Sequence, residues 1–136
     1  MLRATTMLCA ALLIAAATSM AAAEEDGEVC KEAVERFKEM TGRDVANEPV
    51  RTVLMYKYKF CPENVKIKSG EKLRYFNVDK RTSHSTWLKD AGQEESERVF
   101  SEGVIDIDTN LPKGEHDVLC GPHWQIGMRG KIIVGE

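Results

Sequence analysis

His116-Asp117-Val118-Leu119-Cys120-Gly121-Pro122-His123-Trp124-Gln125-Ile126-Gly127-Met128 runs on into Arg129-Gly130-Lys131-Ile132-Ile133-Val134. Two short β-type runs, His116 to Cys120 and Lys131 to Val134, flank a loop punctuated by Gly121, Pro122 and Gly127. Runs of the same kind recur upstream at Val53 to Phe60, Val65 to Lys68, Lys72 to Val78 and Val104 to Asp108. Lys68-Ser69-Gly70-Glu71 and Leu111-Pro112-Lys113-Gly114 read as turns of the sort that join antiparallel strands. Many short strands separated by turn residues predict an all-β domain, a small sandwich or barrel. Asp90 to Glu102, carrying Glu94, Glu95 and Glu97, reads as a solvated loop.

Ahead of the strands, Glu24 to Thr41 has Val29, Cys30, Ala33, Val34, Phe37 and Met40 at helical spacing. That stripe predicts one amphipathic helix, ended by Gly42 and packed against the rest of the domain. Before it, Met1-Leu2-Arg3 is a short positive start, Met7 to Ala17 is almost wholly apolar, and Ser19 to Ala23 supplies the small residues of a cleavage site. The pattern predicts a secretory signal peptide over 1–23, a helical extension over 24–49 and one strand-rich domain over 50–136. The apolar run is too short for stable membrane insertion, which needs ~20 residues. Cys9 follows Leu8 rather than a small residue, so the leader does not match a lipidation signal.

Composition narrows the function classes. A chain of 136 residues that is 43% hydrophobic can bury one ordinary core and no more. With 19 Lys plus Arg against 22 Asp plus Glu, it lacks the basic field that grips nucleic acid. Loss of the leader removes Cys9 and leaves Cys30, Cys61 and Cys120. In an oxidising compartment a pair should close and the odd cysteine needs a role. Cys120 has the neighbourhood that suggests one, so Cys30 and Cys61 are expected to form the disulfide.

The loop from Cys120 to Met128 is a C-x2-H-x4-M arrangement. A thiolate, an imidazole and a thioether on one short loop can face a single soft metal ion, and copper suits them best. A second imidazole is available from His84, which follows the apolar run ending at Val78. Two nitrogens and a thiolate would hold the ion in a plane, with Met128 as a long axial donor acceptable to both Cu(I) and Cu(II). Zinc could accept Cys120, His84 and His123, yet thioether is a poor zinc ligand. His116 lies four residues before Cys120 on the same strand face and is expected to be a structural histidine.

Phe60-Cys61-Pro62-Glu63-Asn64-Val65-Lys66-Ile67-Lys68-Ser69-Gly70-Glu71, then Leu73 to Asp79, His84, Leu119 to His123 and Met128 to Val134, resembles a cupredoxin from Val53 to Glu136. The loop spacing is similar to that of plastocyanin and pseudoazurin, whereas the amicyanin loop is shorter and the azurin loop longer. The resemblance implies a Greek-key β-sandwich that binds one type 1 copper through His84, Cys120, His123 and Met128. It implies a diffusible one-electron carrier, monomeric, meeting its redox partner proteins transiently. An apolar patch of Pro122, Trp124 and Ile126 around His123 is the expected docking face, steered either by Lys80, Arg81 and Arg129 as a positive rim for an acidic partner or by the acidic stretch Asp90 to Glu102 for a basic one.

Three departures from that pattern stand out. Ser85 follows His84 where family members usually carry Asn, so the bond tying the two ligand loops should be weaker or made differently. His116 stands where a Tyr is frequent, and the helix is an addition. Three histidines cannot build a trinuclear oxidase cluster, and Cys120 has no second cysteine in its loop for a binuclear centre. Asp79, Ser83 and His84 lie close in sequence without a nucleophile-elbow pattern, so hydrolysis has no support. The chain is therefore expected to be no enzyme, and the alternative to electron transfer is a module that buffers or delivers copper.

Overall fold

The computed structural model describes residues 18–136, and side chains from residue 27 onward. Met1 to Ala17, most of the expected signal peptide, lie outside the described residues. Helix α1 spans Thr18–Thr41, so its backbone extends through the expected cleavage site. Seven strands follow: β1 Arg51–Tyr56, β2 Lys59–Cys61, β3 Asn64–Lys68, β4 Leu73–Asn77, β5 Val104–Ile107, β6 Gly114–Leu119 and β7 Arg129–Gly135. They form two sheets, of order β2-β1-β4-β5 and β3-β7-β6. The β1–β4 and β3–β7 pairs are parallel and the other pairs antiparallel. The result is the expected β-sandwich with a helix added.

Two expectations about connectivity are corrected. The run from Val53 to Phe60 is two strands, because Lys57 and Tyr58 both take positive φ (46° and 61°) and turn the chain into a hairpin. No Gly or Asn marks that turn, so residue type carried no signal for it. The turns at Lys68–Glu71 and Leu111–Gly114 do not join paired strands. The first carries the chain from β3 to β4 and the second from β5 to β6, each crossing from one sheet to the other. A reversal of direction has the same turn chemistry whether the next strand pairs with its predecessor or arches over the core.

Alternation along the strands sorts the side chains into two layers. Val65 and Ile67 of β3 and Ile132 and Val134 of β7 point into the sandwich, where they meet Val53, Met55, Leu73, Tyr75, Cys120 and Met128. The opposite face of β1 and β4 presents Leu54, Tyr56 and Phe76, and these pack beneath Ala33 and Phe37 of α1. Helical spacing brings Val29, Cys30, Ala33, Phe37 and Met40 to one side, which covers this sheet as expected, whereas Val34, expected in the same stripe, is 40% exposed. Burial on both faces explains why Val53 to Tyr56 is an unbroken apolar run rather than an alternating one. The expected Cys30–Cys61 disulfide fastens α1 to β2. Arg36 Nε also donates to the Val78 carbonyl at 3.0 Å.

Candidate metal centre

The end of the sandwich where β6 runs into β7 carries the loop Cys120 to Met128, and that loop is closed by its own backbone. Cys120 N–H donates to the Met128 carbonyl, while Met128 N–H donates to the His123 carbonyl. His123 and Trp124 N–H groups both donate to the Cys120 carbonyl, and Gly127, at φ 102°, supplies the left-handed residue that ends the short turn Trp124–Ile126. Cys120 and Met128 are fully buried and belong to the sandwich core.

His84 reaches the same place from the segment after β4. Asn77, buried, donates from Nδ2 to the carbonyls of Thr82 and Val99 and so holds this segment in a tight arch. A bridge between His84 and Val99 and another between Trp87 and Leu119 strap the arch on both sides. The expectation that Asp90 to Glu102 is merely a solvated loop is therefore corrected. Its side chains are largely exposed, but Val99 pairs with His84, and Ser96 Oγ accepts from Thr86 N–H at 2.9 Å.

His84 Nδ1 lies 3.8 Å and His123 Nδ1 3.4 Å from Cys120 Sγ. The three donor atoms all fall within 4.8 Å of one another. Two bonds of about 2.0–2.3 Å each, the usual range for nitrogen and thiolate donors, span a similar distance. Two imidazoles and one thiol in a buried pocket, beside a buried methionine, suit copper better than zinc in donor softness. Met128 is brought to the same loop end and the same core, while His116 is not: its Nε2 meets the Pro112 carbonyl at 2.6 Å, a satisfied structural histidine.

Burial pushes the Cys120 thiol up, and the nearby Glu95 charge adds to this. The backbone N–H groups of Ser85 and His123, with the Ser85 hydroxyl, oppose the rise by favouring the thiolate. Burial, reinforced by the neighbouring His84 and Arg98, pushes His123 down. The pocket thus favours a neutral imidazole ready to donate and a thiol whose proton a metal must displace.

The missing Asn after His84 is replaced by a different tie. Ser85 Oγ accepts from Gly121 N–H at 2.8 Å and donates to Glu95 Oε1 at 2.8 Å, so one hydroxyl joins the two loops. A Cβ at Gly121 would run into the Glu95 carboxylate, which lies across this junction. Sequence reading missed Glu95, whose acidic neighbours gave it the look of a solvated charge. It also missed Asp79, whose Oδ2 is 2.6 Å from His84 Nε2, and Tyr58, whose ring meets His123 edge-on with centroids 4.8 Å apart.

The model of a family described as copper binding proteins, plastocyanin/azurin family, matches residues 52–135. No curated protein matches the chain. Among solved structures, a reduced mutant of amicyanin is 23% identical with a TM-score of 0.56, covering 67% of this chain and 89% of its own. An oxidised amicyanin mutant is 22% identical with a TM-score of 0.57, covering 65% and 85%. A mutant plastocyanin of fern is 21% identical with a TM-score of 0.53, covering 62% and 99%. At these identities the structures show a shared fold. The family match over most of the strand-bearing chain, together with a His-Cys-His cluster of copper-type donors in which only His123 is partly exposed, makes this chain a cupredoxin of the plastocyanin/azurin copper-binding family that takes one copper ion.

Proposed function

We propose that the protein is an exported one-electron carrier whose copper would be held by His84, Cys120, His123 and Met128, the thioether being the weakest of the four donors. The observation that carries the reading is the convergence of both Nδ1 atoms on Cys120 Sγ at 3.4 and 3.8 Å in a pocket braced on every side. When bound there, the ion supplies a Cu(I)/Cu(II) couple. The chain's contribution is rigidity. Loop-closing hydrogen bonds, the Ser85 tie and the two bridges hold the donors in one arrangement for either oxidation state, which keeps reorganisation small.

The face around His123 supports brief docking. His123 is half-buried, Ile126 is 67% exposed, and Tyr58 adds an aromatic edge. Arg129 lies over the Trp124 ring at 5.4 Å, placing a cation at the rim of the apolar patch. A small patch of this kind lets a redox partner approach closely without forming a lasting complex. Export rests on the leader-like sequence over 1–23. The delivery or buffering alternative is disfavoured because His84, Cys120 and Met128 are all fully buried, leaving a recipient protein little to reach.

The test is the electron self-exchange rate of the copper-loaded protein, read from NMR line broadening in mixtures of the two oxidation states. Wild type should cycle reversibly, and Trp124→Glu should slow exchange while leaving the visible spectrum unchanged. Copper that cannot be reversibly reduced overturns the carrier reading, and exchange unaffected by Trp124→Glu removes Trp124 from the docking face.

A further inference from the structure

We infer that Asp79 is a positioning residue for the copper site, holding His84 by its far nitrogen and lowering the reduction potential. The inference rests on His84 binding copper as proposed above. His84 is fully buried, and its Nε2 stands 2.6 Å from Asp79 Oδ2. A carboxylate can only accept, so the hydrogen lies on Nε2 and the lone pair on Nδ1 is left facing Cys120 Sγ. One contact therefore selects both the tautomer and the ring orientation that metal binding needs.

Asp79 is itself held from three directions. Its N–H donates to Asn77 Oδ1 at 2.8 Å, its Oδ2 accepts the Lys57 N–H at 3.2 Å, and its side chain is nearly buried. Lys57 belongs to the β1–β2 hairpin, and its Nζ meets Glu32 of α1 at 2.9 Å. The carboxylate is thus fixed by the sandwich, the hairpin and, through Lys57, the helix. Asn77 bonds the Thr82 and Val99 carbonyls on either side of His84, so the same small network sets the arch and the acid that addresses it.

The physical effect follows from charge and dielectric. A negative oxygen accepting from one imidazole nitrogen raises electron density at the other, making it a stronger donor. A stronger nitrogen donor favours the more highly charged Cu(II), so the potential falls. The His84 side chain is fully buried and that of Asp79 only 12% exposed, so the interaction is weakly screened.

The test compares wild type with Asp79→Asn, which keeps a carbonyl oxygen to accept from His84 and Lys57 but removes the charge. Mutation of an outer partner of this kind costs about 10–100-fold in metal affinity. If Cu(II) loses about tenfold more than Cu(I), the one-electron potential rises by about 59 mV. The thiolate-to-copper band should remain. In copper(I) wild type, 15N NMR should also show His84 protonated at Nε2 and exchanging slowly with solvent. An unchanged potential in folded, coloured Asp79→Asn overturns the inference. Where that variant fails to fold or to load, the wild-type spectrum decides: a bare Nε2, or a proton exchanging as fast as on an exposed imidazole, overturns it. A wild-type protein with no thiolate-to-copper band instead overturns the copper-ligand reading beneath it.

Discussion

Replacing Phe37 by Ala asks whether α1 belongs to the core or merely lies beside it. Phe37 has no exposed surface, and its ring meets Phe76 of β4 edge-on with centroids 5.0 Å apart. It sits among Leu54, Tyr56 and Phe76, on a helix tied to β2 by a disulfide. Truncating a buried Phe to Ala costs about 3–5 kcal/mol, depending on how far the surroundings collapse into the space. Here a paired sheet and a cross-linked helix form the walls and collapse is restricted, so the expected loss is about 4 kcal/mol. For a domain of this size that lowers Tm by about 16 °C at about 4 °C per kcal/mol. Urea unfolding followed by far-ultraviolet circular dichroism reads it as a lower midpoint at unchanged slope. Phe37 packs in the helix–sheet layer, whereas Cys120 and Met128 belong to the inner layer. The copper spectrum of the variant should therefore match wild type below its transition. A loss under about 1 kcal/mol would refute the reasoning and make the helix an appendage.

The Cys30–Cys61 bond closes a separation of 31 residues, worth about 3–4 kcal/mol in the loop-entropy account. In residues 24–136, alkylation in denaturant without reductant should label Cys120 alone, since this thiol is buried in the folded protein, and the Cys30→Ser, Cys61→Ser double variant should melt about 10 °C or more lower. Copper uptake should weaken with acid. The Cys120 thiol is pushed up and His123 down, so near neutral pH binding displaces one proton, from the thiol. Apparent affinity should then fall about tenfold per pH unit as pH drops, and more steeply once His123 also takes a proton; a competition titration with a chelator across pH 5–8, with a flat profile as the contrary result, checks this. Met128→Gln should retain copper with a lower potential, since an oxygen donor favours Cu(II); voltammetry reads it, and a folded variant unable to bind copper would contradict it.

Much of this was legible in the residues because the physics was local. Val65 and Ile67 alternate with Lys66 and Lys68, so β3 could be read directly, and the donors Cys120, His123 and Met128 announce themselves within one loop. What depended on tertiary placement was not legible. The hairpin at Lys57–Tyr58 lacks the usual turn residues, so its positive φ values come from the surrounding sheet rather than from residue preference. Whether a Gly-containing turn makes a hairpin or an arch depends on which faces the flanking strands bury, as at Lys68–Glu71. Glu95 and Asp79 look like any surface acids. Only the fold lays one across Ser85 and Gly121 and the other on His84. Of the two expectations for Ser85, a weaker tie or one made differently, the second holds: its hydroxyl makes the inter-loop tie with the geometry of an ordinary strong hydrogen bond.

The most direct measurement is the visible absorption spectrum of the protein after addition of one equivalent of Cu(II), with Cys120→Ala as the paired sample. Cys120 Sγ is the donor on which both histidine nitrogens converge. The account predicts an intense thiolate-to-copper band in wild type, its complete loss in Cys120→Ala, and unchanged far-ultraviolet circular dichroism in both. A wild-type protein that binds copper without the band, or a Cys120→Ala protein that keeps it, would contradict the account.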